Sequence, residues 1–78
     1  MDENVRQEKL KMWKDQLKSL EEELGKIMAK KGEAAQQGDL SENAAYTMAN
    51  EDADTTRVRI SQVKKIIEGL EKGGPSTR

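Results

Sequence analysis

The sequence predicts an all-α fold: a long antiparallel two-helix coiled-coil hairpin with an acidic tip. Three observations carry that expectation. Two runs of apolar residues repeat at alternating three- and four-residue spacing, which is the a/d seam of a coiled coil. Between them lies Gly38-Asp39-Leu40-Ser41-Glu42-Asn43, a segment that combines a helix stop with a helix start. The composition leaves few alternatives. A chain of 78 residues is at most one small domain, and with 3% aromatic residues, no Phe and 37% charged residues it lacks the bulk for a mixed globule. A hairpin of helices needs only a narrow apolar stripe. Low hydropathy alone would also fit disorder, and the regular seam argues against it.

The first run is Leu10, Trp13, Leu17, Leu20, Leu24, Ile27, Lys31 and Ala34, and predicts a helix over about 3–36. Gly25 and Gly32 interrupt it off the seam, each costing roughly 1 kcal/mol against Ala. The second run is Tyr46, Ala49, Ala53, Thr56, Ile60, Val63, Ile67 and Leu70, and predicts a helix over about 40–72. The tip is expected at 37–41. There Gly38 supplies the positive φ that ends the first helix, Asp39 caps the second, and Glu42 at N3 completes a capping box. Gly73 and Pro75 close a domain of residues 1–73, and 73–78 read as a flexible tail or linker stub.

Folding at the middle sets Leu10 against Leu70, Trp13 against Ile67, Leu17 against Val63 and Leu20 against Ile60. Nearer the turn, Leu24 meets Thr56, Ile27 meets Ala53, Lys31 meets Ala49, and Ala34 meets Tyr46. Large apolar layers fill the half away from the turn, and small side chains fill the other. A firm base and a slimmer, softer tip follow. A helix of this length reaches about 50 Å at 1.5 Å per residue.

The chain contains no Cys and no His, which excludes disulfides, thiol chemistry, zinc fingers and imidazole acid–base catalysis. Absent Cys fits a reducing, cytoplasmic setting. The acidic start Met1-Asp2-Glu3-Asn4 is followed by no apolar stretch, so no secretory signal is read, and no run is long enough for a membrane span. Net charge is −1, but its distribution is uneven. Between Gly32 and Thr56 there is no Lys or Arg, while Glu33, Asp39, Glu42, Glu51, Asp52 and Asp54 all fall there. An acidic end repels phosphates and suits a basic cavity or a metal ion.

Asp39 and Glu42 admit two readings. They cap the second helix, or they also present oxygen to a divalent ion. Mg2+ is a hard ion that takes one or two carboxylates together with phosphate oxygens and water, so two acids on a tip could complete a site that a partner supplies.

The segment Gly38-Asp39-Leu40-Ser41-Glu42-Asn43-Ala44-Ala45-Tyr46 resembles the tip signature of the bacterial Gre transcript-cleavage factors. The register continues through Met48-Ala49-Asn50-Glu51 and Arg59-Ile60, and the resemblance covers residues 5–72. It implies an antiparallel coiled coil that enters the secondary channel of bacterial RNA polymerase in its elongation complex. Asp39 and Glu42 would help hold a Mg2+ jointly with the polymerase, with no ion expected on the isolated chain. The result would be stimulated cleavage of backtracked RNA by the polymerase itself, so the chain would be no enzyme and would meet the nascent RNA 3′ end only indirectly. Ser41, Asn43 and Tyr46 would support the tip, Asn43 as a polar group and Tyr46 by packing against Ala34. Two departures stand out. The second, FKBP-like domain of the family is missing from the 78 residues, as in an excised domain or a short homologue. Ala35 and Asn50 stand where the family often has basic residues.

Three functions therefore compete. They are a transcript-cleavage factor, a channel-binding regulator that does not promote cleavage, and a plain interaction module. Weak self-association through the seam, as a four-helix bundle, is a further expectation, and no membrane partner is expected.

Overall fold

A computed structural model describes residues 2–72 of the chain. Helix α1 spans Glu3–Ala35 and helix α2 spans Ala44–Glu71, with a single 3₁₀ turn at Leu40–Glu42 between them. Helix α1 begins at an Asp2 cap, whose Oδ1 accepts a hydrogen bond from the Asn4 N–H at 3.1 Å. The expected stop at Gly73 and the tail 73–78 lie outside the described residues.

The two helices fold back into a hairpin 55 Å long and 22 by 12 Å across. Contacts across the rod join the first half of α1 to the end of α2 and the last turns of α1 to the start and middle of α2. Arg6 donates to the Leu70 carbonyl, Lys14 pairs with Glu71 at 3.3 Å, Arg57 reaches Met28 Sδ at 3.5 Å, and Asn43 reaches the Ala34 carbonyl. Every position of both seams is buried or half-buried. The apolar spacing thus maps directly onto the buried stripe, because residues three and four apart share one helix face.

The core is unevenly distributed. Leu10, Leu20, Ile60, Val63, Ile67 and Leu70 form one cluster in the half away from the turn, with Trp13, Leu17 and Leu24 packed against it. Toward the turn the buried residues are Thr56, Ala53, Ala49 and Ala34. Small side chains there shield one another without bulk, and Ala53 is only 1% exposed. Gly25 and Gly32 both lie inside α1 and face open space.

The turn departs from its expected construction. Helix α2 begins at Ala44, not near 40, and the connection runs over residues 36–43. Asp39 is not the cap of α2. It caps the 3₁₀ turn, and Glu42 closes that turn instead of occupying N3 of the helix. Asn43 is the α2 cap. The reason is chemical: Asp and Asn accept a capping bond about equally well, but only the amide also donates. At position 43 it accepts a hydrogen bond from α2 while donating one to α1, which a carboxylate cannot do. Gly38 has the expected positive φ, 118°, but it stands two residues beyond the Gln36 C-cap. The last turn of α1 is tightened by Gln36 and Gln37 N–H groups donating to Glu33 and Ala34 carbonyls, both at 3.1 Å.

Candidate functional site

The tip is built outward from Gly38. Its left-handed backbone lets the chain leave α1 and swing across the rod end. Asp39 follows in extended conformation, and its Oδ1 accepts from the Ser41 N–H at 3.0 Å and from the Ser41 hydroxyl at 2.8 Å. These bonds pin the carboxylate over the 3₁₀ turn. The Ser41 hydroxyl first, and its N–H second, hold the Asp39 carboxyl below its ordinary value, because both stabilise the ionised form. Among the described residues Oδ2 of Asp39 engages no hydrogen-bond donor, and neither does the carboxylate of Glu42. Both acids are exposed, and so is Leu40 between them.

Behind the turn, Asn43 joins the ends of both helices. Its Oδ1 accepts from the Tyr46 N–H at 3.1 Å, and its Nδ2 donates to the Ala34 carbonyl at 2.6 Å. Tyr46 is half-buried one turn further on, and the Lys31 ammonium lies 5.6 Å from its ring centre. That cation–π contact places a cation within the seam without opposing it to a bare apolar layer. Lys31 is thereby turned onto Tyr46. Arg57, the first cation of α2, is engaged by Asp54 at 3.4 Å.

This geometry offers two hard, exposed oxygen donors on a short turn. Among the described residues no group of three or more Asp, Glu, His or Cys side chains comes together to hold an ion. One or two carboxylates match what Mg2+ takes from a protein when other oxygens complete its shell. Two carboxylates alone fill only part of such a shell.

Ser41, Asn43 and Tyr46 all take part in the tip, each by a distinct contact. Sequence reasoning underrated Asn43. Its residue type and its place three positions before Tyr46 signal an N-cap, but the bond to Ala34 crosses the turn and leaves no local trace. Ala35 is the exposed last residue of α1 and Asn50 is half-buried on α2, so neither position supplies a cation.

Comparison with known proteins supplies the context. The family described as the N-terminal part of transcription elongation factors, covering GreA and GreB, matches residues 5–71. The chain belongs to this family. The Gre match spans both helices and the tip between them. A similar relative is transcription elongation factor GreA of Lachnoclostridium phytofermentans, 38% identical over 65 residues. The aligned region is 82% of this chain but only 41% of that relative, so the chain spans less than half of the curated protein it matches. No solved structure gives a significant match. Among the described residues no helix is long and apolar enough to cross a membrane.

Proposed function

We propose that this Gre-type domain acts as a transcription elongation factor whose rod enters the secondary channel of bacterial RNA polymerase and stimulates cleavage of backtracked RNA. The observation that supports this reading above all others is the placement of Asp39 and Glu42, both exposed, on the 3₁₀ turn at the end of a 55 Å rod. A spike 12–22 Å across delivers those oxygens into a narrow cleft that a globule could not enter.

The residues have separable tasks. The packed base keeps the rod straight and sets its reach. Asp39 is presented ionised, with one oxygen held by Ser41 and the other directed to a partner. Glu42, three residues on, adds a second acceptor from the same turn. When bound between these acids and the polymerase, Mg2+ would supply charge neutralisation at the cleaved phosphate and acidify an attacking water. The nuclease remains the polymerase, and this chain contributes ligands and position.

A second reading has its own support. The stretch from Gly32 to Thr56 carries no cation, so nothing near the tip grips an RNA phosphate. A rod of this kind could occupy the channel and slow synthesis without promoting cleavage.

One assay separates the readings. The protein is added to stalled, backtracked bacterial elongation complexes with Mg2+, and RNA length is followed in time. Faster shortening with the wild type, lost in Asp39→Asn, is the expected result. Asn can still accept both Ser41 bonds, so the turn survives while the negative oxygen is removed. Slowed synthesis with no shortening would favour the regulator. No effect and no polymerase binding would sink both.

A further inference from the structure

We infer that Asn43 is a positioning residue that clamps the tip, so that the direction in which Asp39 and Glu42 point is set by one amide side chain bridging the two helices. The inference rests on the proposed delivery of those carboxylates and adds what aims them.

The argument begins with what the turn lacks. The eight residues 36–43 connect two helix ends, and all of them except Asn43 are exposed. None has apolar burial to hold it. Leu40, the one large apolar residue of the turn, is 40% exposed. The 3₁₀ turn itself is held by two long backbone bonds, Glu42 N–H to Asp39 carbonyl and Asn43 N–H to Leu40 carbonyl, both 3.3 Å. Bonds within the turn fix its internal shape. They do not fix its orientation to the rod.

Asn43 supplies the missing link. It is half-buried, and each half of its amide serves a different helix. Oδ1 accepts from the Tyr46 N–H and closes the orphan N-terminus of α2. Nδ2 donates to the Ala34 carbonyl at 2.6 Å, at the C-terminal turn of α1, where the same oxygen also accepts from the Gln37 N–H. The side chain thus ties the point where the chain leaves α1 to the point where it enters α2. Asn43 is also the residue immediately after Glu42 and the C-cap of the 3₁₀ turn. A rotation of the turn about the rod end has to break one of its two side-chain bonds. Asp, Ser and Thr are also good caps, but none combines the acceptor with an N–H donor.

Two variants isolate the clamp. Asn43→Asp is nearly isosteric and keeps the cap, but it replaces the donor with an oxygen facing the Ala34 carbonyl. Asn43→Ser keeps the cap and lacks the reach. Each is measured beside the wild type and Asp39→Asn for helicity by circular dichroism and for cleavage of backtracked RNA over a range of protein concentrations. A misaimed catalytic group loses rate without losing binding, so the expected result is a fall of about tenfold or more in cleavage rate at saturation, with the half-saturating concentration and helicity unchanged. Wild-type rates in both variants would overturn the inference. So would a change confined to the half-saturating concentration. If Asn43→Asp unfolds the tip, Asn43→Ser decides. The clamp also has a readout that needs no polymerase: a scalar coupling across the hydrogen bond between Asn43 Nδ2 and the Ala34 carbonyl carbon, seen by nuclear magnetic resonance in the free protein. Its absence would dismiss the clamp even if cleavage stimulation is real. Its presence beside a wild type inactive in cleavage would instead reject the proposed function and, with it, the aiming role.

Discussion

At the base of the rod, Leu10, Leu20, Ile60, Val63, Ile67 and Leu70 bury branched side chains against one another. At the tip end, Ala34, Ala49 and Ala53 occupy the equivalent seam positions with single methyl groups. Both halves follow the same periodicity, and the seam positions of both are buried or half-buried. They differ in how much apolar area leaves water. A buried Leu, Ile or Val contributes about 1.5–3 kcal/mol, whereas an Ala contributes on the order of one methylene's worth, about 0.8 kcal/mol. The base therefore carries the stability, and the tip half relies on the packing of small side chains and on polar bonds such as those of Asn43. A probe gains from this division, since thin side chains near the tip keep the leading end narrow.

The largest expected effect lies at the base. Leu20 is 5% exposed within the main cluster, and Leu20→Ala should cost about 2–5 kcal/mol. A chain this small has little stability beyond that, so both helices should melt together. Thermal unfolding followed by circular dichroism checks this. A variant that lost only its base helicity while the tip half stayed folded would contradict the assignment of stability to one end.

The next effect reverses the direction of the test. Ala53 is 1% exposed, so Ala53→Leu has no room and should cost about 1–3 kcal/mol through overpacking. The strain falls in the half of the seam lined by small side chains. Amide hydrogen exchange should rise around residues 27–34 and 49–56 while amides near Leu20 and Ile60 keep their protection. Uniform loss along the rod would show that the two halves are not energetically distinct.

Much of this architecture was legible in the residues themselves. The three-and-four spacing identified every seam position, because helix geometry leaves little freedom in which face an apolar repeat presents. The difference between base and tip followed from side-chain size alone. What was not legible was the wiring of the turn. Asp39 and Asn43 are both good caps, and each stands at a plausible distance before the second apolar run. Propensity favoured Asp39 with Glu42 as a capping box. The outcome turned on a contact across the rod, Asn43 to Ala34, that no local window contains. The same holds for Lys31, whose seam position suggested a weak layer opposite Ala49 and whose ammonium is instead turned onto Tyr46. Asp39 and Glu42 do lie exposed on the turn, but the role of Ser41 in holding Asp39 was visible only in three dimensions.

The smallest effect concerns protons and compares the two ends once more. Asp39 at the tip and Glu3 at the base are both held below their ordinary carboxyl values, Asp39 by the Ser41 hydroxyl and N–H, Glu3 by the side chains of Arg6 and then Gln7. A carboxyl whose folded value is depressed adds stability above its unfolded value, and that contribution disappears as pH falls through the folded value. Near neutral pH both contributions are therefore fully present, and both are lost only in acid, below the usual carboxylate range. Because the two groups are exposed, the loss is local and not a global unfolding. Carboxyl carbon titration by nuclear magnetic resonance should show the Asp39 midpoint rising in Ser41→Ala, where the hydroxyl donor is gone and the backbone donor remains. The Glu3 midpoint should not move, since its partners sit at the other end of the rod. An Asp39 midpoint identical in the two proteins would mean that Ser41 does not hold the carboxylate in solution, and the preset geometry of the tip would then rest on Asn43 alone.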